Sequence, residues 1–486
     1  MKKPAPFPIL VTSNRRRFLI KVPAFAVCAA SAIAALFLET PAYSADTKHP
    51  NIVVMMTDDQ RFDFMSCAGH PFLQTPNMDR IAKEGVRFRN MFVTNSLCAP
   101  SRATLMTGLY SHANGVKDNL GSTLDPAVTW MPDLLRAAGY DVAFCGKSHV
   151  PGNFRQKKWD YYFGFRGQGI YVNPRIAESQ ADGTIGPDRQ YQGWVDDVLT
   201  DHAVAWMKRD RGEKPFCLFL FFKSPHRRWV PPDRYKDKYA DVKVVKPALW
   251  DDPGVGKPRA FLQAANMIGQ YPDTKDFDGM IRDYSRCLTG VDDNVGKVLK
   301  ALEDKKCLDE TAILYTSDNG FFLGEWQRFD KRFMHEPSIR VPLLLRYPPM
   351  VKAGTERKEM VLNVDIAPTL LALAGTKSPT PMHGRSLTDL FATGKAPWRD
   401  AWYYEYFEFP DISHNVVKHR GVRTEKYKFI DYYEPPFPKW REEFELYDLE
   451  KDPEERVNLY SRPAMKPVVE KLKLRMTELR KDLGEK

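Results

Sequence analysis

Two polar pairs stand out by residue type: Asp58-Asp59, and far downstream Asp318-Asn319. Together they offer only oxygen donors, the set that suits a hard divalent cation such as Ca²⁺ or Mg²⁺, and the lack of histidine among them argues against zinc. Taken singly, each pair reads as an ordinary surface turn, where Asp and Asn are common. Cys98 opens the run Cys98-Ala99-Pro100-Ser101-Arg102. A lone cysteine is most often an inert buried thiol. This one, however, precedes residues 101–106, a plausible helix start, and a helix N-terminus receives anions. Lysines and histidines add cationic and proton-transfer capacity at Gly146-Lys147-Ser148-His149, at Ser224-Pro225-His226 and at Lys331. Each alone is more often a solvated or structural residue; their shared placement gives the set its interest.

The elements that must position these groups are legible as apolar runs. Residues 51–56 (NIVVMM), 311–316 (TAILYT), 216–222 (FCLFLFF) and the shorter 141–144 (DVAF) each break into the polar residues just named. Such runs predict strands buried on both faces. In open α/β sheets, ligands sit beyond the carboxyl ends of parallel strands, so the four strand ends converge on one site. Residues 131–138, ahead of Gly139, predict a helix with a glycine C-cap. Ile281, Tyr284, Leu288, Val291, Val295, Val298 and Leu302 recur at helical spacing and predict one apolar face of a long core helix. Residues 235–280, rich in Pro, Gly and Asp, read as a surface insertion near the substrate mouth. After about residue 380 the character changes. Residues 401–409, 421–424 and 428–433 predict antiparallel strands, and Met465, Val468, Leu472, Met476, Leu479 and Leu483 mark a terminal amphipathic helix. The organisation expected is a leader over 1–44, a catalytic domain over 45–380 and a smaller α+β subdomain over 381–486.

Length and composition narrow the class. The chain has 486 residues and a hydrophobic fraction of 43%, enough for a large α/β unit plus something smaller. The formal net charge is +10. Residues 1–44 carry six Lys/Arg and one Glu, which leaves 66 basic against 61 acidic residues in the remainder. That mild balance is compatible with an anionic substrate, and no nucleic-acid-binding signature is found. Asn14-Arg15-Arg16-Arg17-Phe18-Leu19-Ile20 resembles a twin-arginine export motif. An apolar run over 22–38 follows, and then Ala42-Tyr43-Ser44 offers small residues for cleavage. The run is slightly short for a full span, so removal is expected, with no permanent membrane anchor and a periplasmic or secreted bacterial protein. Seven cysteines lack CxxC or regular spacing, so neither zinc nor a disulfide scaffold is indicated. Cys217, inside an apolar run, is most simply a buried free thiol.

Cys98-Ala99-Pro100-Ser101-Arg102, with Thr104-Leu105-Met106-Thr107-Gly108-Leu109-Tyr110 after it, resembles the maturation signal of the type I sulfatases. Gly146-Lys147-Ser148-His149 resembles that family's Gly-Lys-x-His element, although Val150-Pro151 departs from the common Leu-Gly. Leu446-Tyr447-Asp448-Leu449, Asp452-Pro453 and Asn458-Leu459 resemble its C-terminal signature. The resemblance covers almost the whole mature chain. It implies an α/β fold: an alkaline-phosphatase-like, mixed and mostly parallel sheet flanked by helices, with a smaller C-terminal antiparallel sheet plus helix. It also implies that a maturation enzyme oxidises Cys98 to Cα-formylglycine, whose hydrate attacks sulfur through one hydroxyl and expels sulfate through the other. Asp58, Asp59, Asp318, Asn319 and the modified Cys98 would hold calcium, with magnesium as the other candidate. Arg102 would stabilise the hydrate, Lys147 and His149 would hold the formylglycine and a sulfate oxygen, Lys331 would bind sulfate, and His226 would protonate the leaving alcohol.

Pro225-His226-Arg227-Arg228-Trp229, Phe329-Asp330-Lys331-Arg332-Phe333 and Lys418-His419-Arg420-Gly421-Val422-Arg423-Thr424 resemble the N-acetylglucosamine-6-sulfatase branch. That implies a sulfated carbohydrate substrate, 6-O-sulfated N-acetylglucosamine of glycosaminoglycans, with Arg227, Trp229 and His419 as candidate sugar contacts. Trp229 reads equally as a core residue. Two other classes compete. One is a phosphomonoester or phosphodiester hydrolase of the related alkaline phosphatase group, whose members tend to carry His after the second metal Asp and further zinc ligands; Asn319 counts against it. The other is an inactive, metal-stabilised glycan-binding protein with Cys98 unmodified.

Overall fold

Strand β1 (Asn51–Thr57) shows why the apolar runs form a buried sheet. Its side chains alternate between two cores, with Ile52, Val54 and Met56 in one and Val53 and Met55 in the other. Strands β2 (Val86–Phe92), β3 (Asp141–Lys147), β4 (Tyr161–Phe165), β5 (Arg175–Glu178), β6 (Phe216–Phe221), β7 (Thr311–Ser317), β8 (Leu343–Arg346) and β9 (Thr355–Leu362) complete the principal part of an 11-stranded sheet. The centre runs β7-β1-β6-β3-β4, all parallel. Antiparallel pairs lie toward the margins, β8 against β7 and β2 on one side and β5 against β4 on the other. The four strands expected from the sequence are therefore adjacent, and their carboxyl ends share one edge.

Helices cover both faces, as a sheet without a solvated face requires. On one side pack α1 (Pro76–Glu84), α4 (Val195–Met207) and the long α5 (Phe277–Asp304). The predicted apolar face of α5 lies fully in that core, and Asp276 caps its first turn by accepting from the Gly279 amide at 3.0 Å. On the other side pack α2 (Cys98–Thr107), α3 (Met131–Ala137) and α6 (Ile366–Leu373).

The computed structural model describes residues 49–152, 154–392, 397–411, 413–434 and 443–485. The leader over 1–44, with its twin-arginine and cleavage motifs, lies outside the described residues. No helix among the described residues is long and apolar enough to cross a membrane. A second sheet of four antiparallel strands, β10 (Ala401–Tyr406), β11 (His419–Thr424), β12 (Tyr427–Tyr432) and β13 (Glu443–Asp448), follows in sequence order. Helix α7 (Lys466–Asp482) packs on it through Val469, Leu472 and Met476. Strand β13 was not expected as a strand: its mixed Glu-Phe-Glu-Leu-Tyr-Asp pattern hides the alternation. This sheet shares one continuous hydrophobic cluster with the near face of the large one. Segment 235–280 differs from its expectation. It is a mostly irregular stretch whose Lys257, Phe261, Ala264 and Asn266 are buried, so it serves as packing between the two sheets as well as surface.

Candidate active site

The strand ends place the acidic pairs face to face. Asp58 follows β1, and its amide donates to the Ser224 carbonyl at 3.0 Å; the Asp318 amide donates to the Thr57 carbonyl at 3.1 Å. The Asp59 amide donates to Asp318 Oδ1 at 3.1 Å, and Asn319 Nδ2 donates to Asp59 Oδ1 at 2.6 Å. All four residues are buried. Glycine makes this approach possible at Gly320, where any Cβ would lie 2.2 Å from the Pro337 carbonyl oxygen. Oxygens of Asp58, Asp59 and Asp318 lie within 4.8 Å of one another. Burial, reinforced by Asp58 and Asp318, pushes the Asp59 carboxyl up to about 7 against the pull of Lys331. Two buried oxygens of the group, Asp59 Oδ2 and Asn319 Oδ1, make no protein hydrogen bond. Unpartnered buried oxygens beside mutually repelling carboxylates, with no nitrogen donor among them, are a donor set that fits a hard divalent cation.

Cys98 opens α2 and faces this group: Sγ lies 3.5 Å from Asp58 Oδ1 and 3.1 Å from Lys331 Nζ. Burial, with Asp58 beside it, pushes the thiol far above its ordinary range, so it is not a thiolate. Arg102, one turn along the same helix, reaches Asp318 Oδ2 through Nε at 2.9 Å and Nη2 at 2.8 Å, and Asp58 Oδ2 at 3.4 Å. Lys147 pairs with Asp58 and Lys331 with Asp59. Gly146 lets β3 deliver Lys147: its φ is +130°, and a Cβ there would lie 1.9 Å from the Phe221 carbonyl oxygen. Burial favours neutral Asp58, but the cations Lys147, Arg102 and Lys331 outweigh it and hold Asp58 well below the usual carboxylate range.

His226 sits at the rim of the group, with Nε2 3.9 Å from Asp59 Oδ2 and Nδ1 2.5 Å from the Arg227 carbonyl. That carbonyl can only accept, so Nδ1 carries a proton and Nε2 is the free position. Burial and then Lys147 hold this imidazole well below its ordinary pKa. His149 is likewise pushed down by burial and Lys147, and its Nδ1 has no hydrogen-bond partner. The structure thus brings together Asp58, Asp59, Cys98, Arg102, Lys147, His149, His226, Asp318, Asn319 and Lys331.

The three expected sugar contacts fare differently. Arg227 is half-buried and tied to Asp273 by two hydrogen bonds of 2.8 and 3.0 Å. Trp229 is buried edge-on against Phe321, the core alternative of its expectation. His419 has no exposed surface; it lies between Tyr404, Tyr406 and Tyr432, with Nδ1 donating to the Val417 carbonyl at 2.9 Å. Its proposed contact with sugar is therefore corrected: a basic-looking stretch in the sequence is strand β11, and this side chain faces inward. The sequence reading also missed a second cluster. Glu408, Asp411 and His414 lie close together, but the Arg332 guanidinium already occupies it, 3.2 Å from Glu408 Oε1 and 2.8 Å from His414 Nδ1.

A mixed α/β sheet with a parallel centre thus gathers a buried acidic cluster, fixed cations and Cys98 at one carboxyl edge. Residues 50–376 match the family model described as Sulfatase, and residues 324–482 match N-sulphoglucosamine sulphohydrolase, C-terminal. The chain is 36% identical to an N-acetylglucosamine-6-O-sulfatase of Bacteroides thetaiotaomicron over 86% of its own length and 84% of that protein's. It is 28% identical to the multifunctional alkaline phosphatase superfamily protein PehA of Trinickia caryophylli, over 86% and 93% respectively. Among solved structures, BT4656 in complex with its substrate D-glucosamine-2-N,6-O-disulfate superposes with a TM-score of 0.83 at 33% identity, over 90% of this chain and 99% of that one. The chain belongs to the sulfatase family and is a sulfuric ester hydrolase.

Proposed function

We propose that the protein removes 6-O-sulfate from N-acetylglucosamine units of sulfated glycosaminoglycans, after export to the periplasm or beyond, with a formylglycine made from Cys98 by a maturation enzyme. The similarity to the Bacteroides N-acetylglucosamine-6-O-sulfatase supports the sugar and position, and that to BT4656, whose substrate is D-glucosamine-2-N,6-O-disulfate, supports a 6-O-sulfated glucosamine unit. One observation carries the chemistry: Cys98 Sγ lies against Asp58 and Lys331 in the pocket that also gathers Asp59, Asp318 and Asn319.

Asp58, Asp59, Asp318 and Asn319 would hold Ca²⁺, which supplies charge to acidify a nucleophilic oxygen and to clamp the sulfuryl group. The chain's own residues supply the rest. Lys147, Lys331 and Arg102 stand around Cys98 as fixed cations and favour an anionic sulfate ester there. His226 presents Nε2 toward the same pocket. The ester's negative charge raises the affinity of that nitrogen for a proton, which it can then give to the departing alcohol oxygen. Water enters and alcohol and sulfate leave, so the net reaction is hydrolysis.

Peptide mass analysis around Cys98 of protein purified from its native host tests the reading. The expected peptide is the aldehyde or its hydrate; a peptide that still alkylates as a thiol overturns it and leaves a silent glycan-binding protein. Similarity to PehA favours a phosphate-ester alternative. Turnover of the sulfate and phosphate monoesters of one phenol separates the two, with preference for sulfate expected.

A further inference from the structure

One buried cation near the pocket has no part in the chemistry above. Lys223 follows β6, is almost fully buried and makes no ion pair with a carboxylate among the described residues. Its Nζ instead donates to the main-chain carbonyl of Gln168 at 2.8 Å and lies 4.6 Å from the centre of the Tyr171 ring. The side chain of the same Gln168 turns inward, where its Oε1 accepts from Lys147 Nζ at 2.6 Å. Gln168 itself is exposed, between Gly167 and Gly169 on the loop that joins β4 to β5, so its amide stands between solvent and a fully buried lysine. Residues 166 and 167 of this loop also line a cavity of about 390 Å³ that reaches Ala99 and His149, beside Cys98.

We propose that Lys223 and Gln168 form a clamp on the reacting centre, with Gln168 a substrate-contacting residue and Lys223 the positioning residue that holds it. The inference rests on reading Cys98 and Lys147 as that centre. Lysine can only donate, so the glutamine atom facing Lys147 must be the oxygen. The amide nitrogen is then turned away from Lys147, and its two N–H donors make no hydrogen bond among the described residues. They are left beside the lysine for the oxygens of an anion, here the sulfuryl group of the ester. Lys147 has three N–H donors: one goes to Asp58, one to Gln168, and one remains for the same anion. The two lysines repel each other, and Gln168 bridges them with two neutral acceptors, a carbonyl for each. A buried lysine without a carboxylate partner is costly, and an apolar side chain would fill this place more cheaply if packing were its whole purpose. The backbone beneath is also fixed. Asp196 accepts from the amides of Lys223 and Ser224 at 2.8 and 3.2 Å, and Tyr171 donates to the His226 carbonyl at 2.5 Å. The clamp therefore ties Lys147 and His226 to one loop.

A double-mutant cycle tests this on the matured full-length enzyme, with hydrolysis of N-acetylglucosamine 6-sulfate and calorimetric binding of inorganic sulfate as separate readouts. Gln168→Ala is expected to lower kcat/KM by about 30-fold and weaken sulfate binding by about tenfold, and Lys223→Met to lower kcat/KM by about tenfold. The double variant should be no worse than Gln168→Ala alone, because Lys223 acts through Gln168. Lys223→Arg should recover part of the loss, and it replaces Lys223→Met in the cycle if that variant does not fold. Losses that multiply in the double variant, or sulfate affinity unchanged in Gln168→Ala, would overturn the clamp. If wild-type protein binds sulfate but hydrolyses no sulfate ester, the functional reading fails, and the cycle in sulfate affinity still decides the clamp.

Discussion

Two of the networks of charge buried among the described residues are built to different ends. One is the cluster at the sheet edge. The other lies where the C-terminal sheet meets the large one and joins Lys257, His335, Glu336, Arg423, Lys428, Glu445 and Glu455. In this second network every carboxylate oxygen lies within 3.5 Å of a donor or cation, although Glu455 Oε1 is held by the Lys428 ion pair alone and His335 Nδ1 makes no hydrogen bond. Glu445 accepts from Tyr432 at 2.8 Å, lies 3.1 Å from His335 and 3.5 Å from Lys257, and also accepts from Tyr447. Glu336 faces Arg423 and Lys428, each at 2.9 Å, and Glu455 faces Lys428 at 2.6 Å and the Glu336 amide at 2.8 Å. At the sheet edge, by contrast, Asp59 Oδ2 and Asn319 Oδ1 stay unpartnered. A closed network fixes structure; an open one keeps ligand valency for something from outside.

The sharpest way to break this contrast is at Cys98. Cys98→Ala should lower sulfate-ester turnover by at least about 1000-fold and leave the thermal midpoint within about 2 °C, because the change removes one buried sulfur from a large core. Residual activity above that level contradicts its assignment as nucleophile. Next in size is metal removal. EGTA treatment should cost most of the activity and lower the thermal midpoint, and calcium at 100 times its Kd should restore roughly 2.7 kcal/mol of stability. Calcium without effect on either readout would show that the open oxygens hold no ion.

The closed network should answer oppositely. Lys257→Met removes the ammonium from Glu445 and should destabilise by roughly 3 kcal/mol, the scale for breaking a buried pair. Activity measured well below the melting temperature should change less than about threefold. The same network predicts the pH dependence of stability. Burial opposes the charge of Glu445, but His335 and Lys257 prevail and set its pKa at about 2, below its ordinary 4.5. Its stabilisation is therefore present above pH ~4.5 and is lost as pH falls toward 2, a contribution of roughly 3 kcal/mol by linkage. Denaturant titrations between pH 6 and 3 check the sign; a Glu445→Gln variant should flatten that dependence.

What the sequence made legible follows the same divide. The four apolar runs with polar ends, the α5 stripe and the oxygen pairs were readable because each is a local pattern with a fixed period or an abrupt change of polarity. The second network was not. Lys257 stands in an irregular stretch that reads as surface, and its partners come from β13 and the loop after Lys331, so only the tertiary fold reveals it as buried. Gln168 was missed for a similar reason: a polar residue between two glycines reads as an ordinary turn, and nothing local shows Lys147 beneath it. Lys223 was visible at the end of β6, yet a single lysine there carries no signal of where its Nζ goes.

His419 gives the smallest effect and the finest cut between the regions. Its neighbours in sequence, Lys418 and Arg420, suggest a cationic surface, but alternation along β11 turns it into the tyrosine-lined interior. Burial holds its imidazole down to about 4, so it is neutral at pH 7 and donates one hydrogen bond, to Val417. His419→Phe keeps a ring of similar size and removes that bond, which should cost roughly 1 kcal/mol and leave KM for the sugar sulfate within about twofold. The histidine also favours the fold only while unfolded chains take up its proton no more readily than folded ones. Stability is therefore lost as pH falls from about 6.5 toward 4, and the Phe variant should lack that part of the slope. A rise in KM of tenfold with stability unchanged would instead place this side chain in the substrate's path, and the aromatic packing around it would then have to open during binding.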